Sequence, residues 1–192
     1  MPEPVTFPEG VYELDQGVRR ELMGATDSMS FEKAIDIYRE EMERIDEANL
    51  DTMLGIWRKY GWLSPDQVGG KGAHAQWLVV QHAPLEIQLE YVSVMKKAAE
   101  KGGLRKSNLA TFLDRVNLRQ GLHQTYGSRI GYGPDGQAYI SPVKDPENLN
   151  ELREEMDMST IEEYAEKMSI QWNLQNYVDS LPIYRVWEWG SQ

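Results

Sequence analysis

Residues 72–91 read GAHAQWLVVQHAPLEIQLEY. From Ala73 to His82 the chain is apolar on nearly every side, through Ala73, Ala75, Trp77, Leu78, Val79 and Val80. A helix hydrophobic all round belongs in an interior. Pro84 has no backbone N–H and disfavours helical geometry at Ala83, so the helix must stop and restart, with Pro84 at a first helical position. Leu85, Leu89, Val92, Val94, Met95 and Ala98 carry the restarted helix to about residue 101, where Gly102 and Gly103 end it. Two buried helices joined by a proline break predict a helical protein.

The flanking segments follow the same period. Upstream, Phe31, Ala34, Ile35, Tyr38, Met42 and Ile45 form an apolar stripe behind Ser30, predicting a helix over 31–47 whose acidic face is solvated, with Glu40 paired to Arg44. Asn49 reads as the cap of a second helix, 50–60, stopped by Gly61. Ser64 and Pro65 open a single turn before the glycines at 69, 70 and 72, which lack the strand and spacing of a phosphate-binding loop. Downstream, Ser107 caps a helix to about residue 119, and Gly133-Pro134-Asp135-Gly136 is a turn between strand-like segments 124–132 and 137–140. Short helices are expected after Asp145-Pro146, to about 156, and after Ser159, from 160 to 168. The fold class is mainly α, a single helical domain of about seven helices with one small β-hairpin. Its organisation is an extended N-terminal arm over 1–29, a helical domain over 30–180 and a C-terminal tail over 181–192. The arm is expected to hold at most a short helix around 16–23, with Val5, Phe7, Val11, Tyr12 and Leu14 laid on the body; the tail is expected to carry a weak edge strand.

Composition narrows the partners. Asp and Glu number 31 against 20 Lys and Arg, a net charge of −11. Such a chain repels nucleic acid and anionic membrane, leaving a small-molecule or peptide ligand or a partner protein. With no cysteine there is no disulfide, thiolate zinc site or cysteine nucleophile. The start, MPEPVTFPEG, lacks the apolar core of a secretory signal, and no apolar run spans a membrane, so a cytoplasmic location is expected.

From residue 50 to residue 164 the chain resembles a bacterial family catalogued as a domain of unknown function. The family is marked by a Gly-Trp-Pro opening, a buried helix ending Gln-His-Ala-Asp, a Thr-Asp-Arg helix, a Gln-x-Tyr-Gly-Thr-Gln segment and a Pro-Ile-x-Asp-Pro run. The counterparts are Gly61-Trp62-Leu63, Gln81-His82-Ala83-Pro84, Leu113-Asp114-Arg115, Gln124-Thr125-Tyr126-Gly127-Ser128-Arg129 and Pro142-Val143-Lys144-Asp145-Pro146. Pro84 stands where the family has Asp, and Ser128-Arg129 replaces Thr-Gln. The resemblance implies a helical fold and no particular activity.

His82 is the first candidate for chemistry, since an imidazole at a break in a buried helix can reach a cavity and titrates near neutral pH. With the family's Asp replaced by Pro84, its orienting carboxylate is expected at Asp114. Arg115 would bind an anionic group, and Gln124 and Tyr126, two apart, would face one side of an extended segment, Tyr126 as a catalytic phenol. Gly127 would admit a ligand or simply permit a turn, and Trp62 and Trp77 would wall the pocket. The alternative for His82 is a satisfied core histidine, and for Asp114 and Arg115 a structural polar network. His74 and His82 lie about 80° apart around a helix axis and ~12 Å along it, so they cannot share an ion. His82 with His123 and a carboxylate lacks any known ligand motif. Neither a metal nor a cofactor is expected. Two functions remain: acid/base processing of a small polar or anionic substrate, or noncatalytic peptide or protein binding through the aromatic arm and tail with His82 structural.

Overall fold

The computed structural model describes residues 10–189. In chain order the helices are α1 (Gly10–Ala25), α2 (Phe31–Tyr60), α3 (Pro65–His82), α4 (Leu85–Glu100), α5 (Lys106–Arg119), α6 (Leu149–Glu155), α7 (Ile161–Lys167) and α8 (Leu174–Trp189). Strands β1 (Ile130–Tyr132) and β2 (Ala138–Ile140) lie between α5 and α6 and pair antiparallel, Ile130 opposite Ile140 and Tyr132 opposite Ala138. The described chain is thus mainly α with one small hairpin, as the periodicity predicted. It forms two compact units, Met1–Leu104 and Arg105–Gln192. No helix among the described residues is long and apolar enough to cross a membrane.

The proline break falls where expected. Ala83 is extended (φ −60°, ψ 159°), as the residue before a proline should be, and Pro84 is the N-cap of α4 rather than its first helical residue. A helix ending in an interior leaves carbonyls without partners. Gln88, fully buried, supplies them: its side-chain Nε2 donates to Val80 O (3.2 Å) and Gln81 O (2.9 Å). At the other end, Gly69 (φ 71°) kinks α3 after the single turn opened at Ser64, whose N–H donates to Gln67 Oε1 at 2.9 Å. Between them Gln76 is buried too. Its Oε1 accepts from Trp57 Nε1 (3.1 Å) and Leu63 N (3.0 Å), and its Nε2 donates to Leu63 O (2.9 Å), pinning α2, the 61–64 link and α3 together. The helix read as almost wholly apolar therefore carries an amide that fastens it.

Three expectations are corrected. The 31–47 and 50–60 segments are one helix, because Asn49 does not cap. It continues the buried stripe Ile45, Asn49, Met53 and Trp57 at spacings of four, and its Nδ2 donates to Val11 O at 3.3 Å. The first part of the chain is not mainly an extended arm. Its prolines all precede Gly10, and behind them Val11, Asp15, Val18 and Leu22 form the buried stripe of α1, which packs on α2 and α3. The expected contacts of Val5 and Phe7 lie outside the described residues. Lastly, the described part of the tail, to residue 189, is helix and not strand: α8 runs through Pro182 and buries Tyr177 and Leu181, with Tyr184 half-buried one turn on.

The second unit builds its own core from Ile140, Val143, Leu149, Ile161, Tyr177 and Leu181. Thr160, not Ser159, caps α7, accepting from Glu163 N at 3.3 Å while Glu163 Oε2 accepts from Thr160 N at 3.1 Å.

Candidate functional site

Four of the expected site residues meet in one turn of the second unit. Asp114, fully buried on α5, accepts from Thr125 N (2.8 Å) and Tyr126 N (3.0 Å) at one oxygen, and from Ser128 N (2.9 Å) and Ser128 Oγ (2.8 Å) at the other. The turn's carbonyls are taken by a cation. Arg153, buried on α6, donates from Nη1 to Tyr126 O (2.7 Å) and Gly127 O (3.4 Å) and from Nε to Ser159 O (2.6 Å), while Tyr164 OH donates to Ser128 O (2.8 Å). Burial pushes the Asp114 carboxyl up, and its donors from Tyr126, Ser128 and Thr125 pull it down. Arg153 is pushed down by burial, with the Tyr164 and Asp114 charges opposing.

This arrangement changes the meaning of the motif residues. Gln124 is not poised beside Tyr126 on an extended face: it is fully buried, with Nε2 donating to Arg129 O (3.0 Å) and Ser141 O (2.7 Å) and Oε1 accepting from Arg129 N (2.7 Å). Both its N–H groups are committed. Gly127 has φ 60°, and a Cβ there would sit 3.3–3.4 Å from Leu149, Ile161 and Val143, so it serves the turn and the core. Tyr126 is half-buried, its phenol held above the usual range by burial and by the Asp114 and Glu155 charges. Arg115, next on α5, is half-buried. Asp114, Arg153 and Tyr164 together bond the N–H and C=O groups of this turn.

His82 belongs to the first unit, and there the carboxylate beside it is Asp15. His82 Nε2 stands 3.9 Å from Asp15 Oδ2, beyond hydrogen-bond length but within ion-pair reach. The imidazole is partly open, 19% exposed, at the last turn of α3, where the helix dipole favours a cation. Asp15 is 1% exposed on the inward stripe of α1. Arg19 holds it, donating from Nη1 to Asp15 Oδ2 (3.1 Å) and Asp15 O (3.0 Å) and from Nη2 to both oxygens of Asp46 on α2 (2.8 and 2.9 Å). Gln16 Nε2 donates to Asp15 Oδ1 at 2.6 Å. Burial pushes the Asp15 carboxyl up, while Arg19, Gln16 and His74 pull it down.

Along α3 the same face carries His74, stacked on Trp77 (5.0 Å between centroids) and 6.0 Å from the Tyr12 ring. Lys71 lies over Tyr12 at 5.0 Å and pairs with Glu13. Trp77 is thus part of the α1–α3 face. Trp62 is not: it stacks on Trp57 at 5.6 Å and borders a separate hollow of about 260 Å³ beside Lys97 and Lys101. Among the described residues no three His, Asp or Glu side chains are placed to hold a metal ion.

Asp15, Arg19 and Asp46 escaped the sequence reading. One signal was present: Asp15 falls on the i, i+4, i+7, i+11 stripe of Val11, Val18 and Leu22, an acid at a core position. A charge placed there needs partners.

A family model described as a family of unknown function (DUF6624) matches residues 10–176. No curated protein and no solved structure matches the chain.

Proposed function

Since the chain belongs to DUF6624, a family of unknown function, we propose a role from its own geometry: it binds and processes a small polar substrate at the α1–α3 face, with His82 as general acid/base. One observation carries the reading, the buried Asp15 carboxylate 3.9 Å from a partly open imidazole. Asp15 takes the positioning role that the sequence suggested for Asp114. Its negative charge and the C-terminal dipole of α3 both favour the protonated ring, so His82 can hold a proton and release it to a leaving group. Arg19 keeps the carboxylate in place, donating to it from Nη1 while Nη2 is bonded to both oxygens of Asp46.

The test is a turnover screen of the purified chain against small esters, amides, lactones and phosphomonoesters, followed by His82→Ala and Asp15→Asn. His82→Ala should lower kcat at least ~100-fold. Asp15→Asn should lower kcat with KM little changed and move the alkaline limb of the pH–rate profile to lower pH, since a general acid without its carboxylate partner gives up its proton more readily. Unchanged turnover in His82→Ala removes the catalytic role.

A second reading, a noncatalytic peptide- or protein-binding module, draws on α8, which leaves Leu174, Val178, Ile183, Val186 and Trp187 exposed. Partner capture that survives His82→Ala and is lost on Trp187→Ala favours it.

A further inference from the structure

The second unit contains a cleft of about 480 Å³, between β2, the 169–173 link and the first half of α8. Its size falls within the ~300–1,000 Å³ of small-molecule sites. Its chemistry is distinctive. Among the described residues, none of those lining it carries a formal charge, although the chain as a whole has a net charge of −11. The walls are aromatic rings and amides.

The rings are fixed. Tyr139 stacks on Tyr184 at 4.4 Å, and Trp172 packs on Tyr177 at 4.6 Å. Tyr139 and Tyr177 have committed hydroxyls: Tyr139 OH donates to Glu188 Oε1 (3.2 Å), and Tyr177 OH donates to Ser141 O (3.1 Å) while accepting from Val143 N (2.8 Å). Both phenols are pushed well above the usual range by burial, so they stay neutral. The two therefore offer ring surface and no charge. Trp172 and Tyr184 are half-buried, which leaves apolar surface at the cleft.

Against this surface stand amides open to solvent. The side chains of Gln137, Gln171 and Asn176 line the cleft, are exposed, and make no hydrogen bond with the described residues. Ser169 lines it as well, in the left-handed region at φ 58°, where glycine would be unstrained. That conformation ends α7, with Ser169 N donating to Glu166 O (3.0 Å) and Ile170 N to Ala165 O (2.8 Å), and it sets the Ser169 side chain at the cleft.

We propose that this cleft is a binding site for a neutral saccharide. An amide presents a donor and an acceptor side by side, the pattern that vicinal hydroxyls match. Ring surface accepts the C–H face of a pyranose, and no charged side chain among the described lining residues offers a partner to a charged group. An anionic sugar or phosphate would meet the repulsion of the acidic chain with no cation among those lining residues to offset it. The site is independent of His82 and of the reading given to it.

The full chain should be titrated, with backbone amide NMR as readout, against maltose, cellobiose and N,N′-diacetylchitobiose to ~20 mM, with glucuronate and adenosine as controls. The expected result is saturable shifts at 137–140 and 169–184 with at least one neutral sugar and none with glucuronate. Trp172→Ala should weaken that binding about tenfold. Gln171→Ala, at an exposed position, should weaken it about threefold and serves as the decisive variant if Trp172→Ala does not fold. The proposal is overturned if no neutral sugar saturates, if glucuronate binds as well, if adenosine binds in their place, or if the decisive variant binds unchanged.

Discussion

Asp114 shows how one side chain can be chemically suggestive and structurally committed. From the sequence it stood as the partner of His82; its oxygens instead accept four hydrogen bonds from residues 125–128. An asparagine keeps the shape but turns one acceptor into a donor. Ser128 N, buried, would then face an N–H group. Asp114→Asn is expected to cost ~1–3 kcal/mol in urea unfolding, the penalty of a stranded buried donor. Asp15 is the converse case. Its bonded partner Arg19 is one turn on, but the imidazole beside it, His82, lies far along the chain, and only the oddity of an acid on a core stripe marked it. Local pattern can place a charge at a buried position, but it cannot say which distant group answers it.

At the level of elements, the rule-based signals worked where chemistry is local. Pro84 forces the break between α3 and α4, and Gly133 to Gly136 close the β1–β2 turn, with Gly136 N donating to Gly133 O at 2.9 Å. The failures share a cause. Asn49, Gln76 and Gln88 are polar residues on buried stripes whose partners come from other elements, so a local reading makes Asn49 a cap and leaves the glutamines unremarked. α1 was hidden by Gly17 and Gly24 and α8 by Pro182, each penalised in a helix interior, and tertiary burial of Val18, Leu22, Tyr177 and Leu181 outweighs them. Gln88 gives the element-scale prediction. Gln88→Leu fills similar volume but strands the carbonyl of Gln81 and leaves Val80 O with only the Ala83 N–H (3.2 Å), and the chain should lose ~1–3 kcal/mol of stability by chemical denaturation. Gln88→Glu, which keeps the length but cannot donate when ionised, should lose at least as much.

For the whole molecule, the two places where ligands are proposed fall in different units. The division itself was not legible. Gly102 and Gly103 read only as the end of a helix, yet the passage from one compact unit to the next comes at Leu104 and Arg105. Lys101 and Arg105 are exposed there, whereas most other lysines and arginines sit within helices. Limited trypsin digestion should cut first between Lys101 and Lys106, giving two fragments by mass spectrometry; a first cut within α2 or α8 would contradict this. The α3–α4 elbow carries a different consequence, for motion. Helix ends ordinarily fray, opening and closing on their own far more often than the body of a fold. The last carbonyls of α3 are held by a side chain rooted in α4, so that end cannot unwind alone. The backbone beneath His82 opens only when both helices let go, and an imidazole mounted there keeps its aim through the small fluctuations that would scatter one placed on a loop.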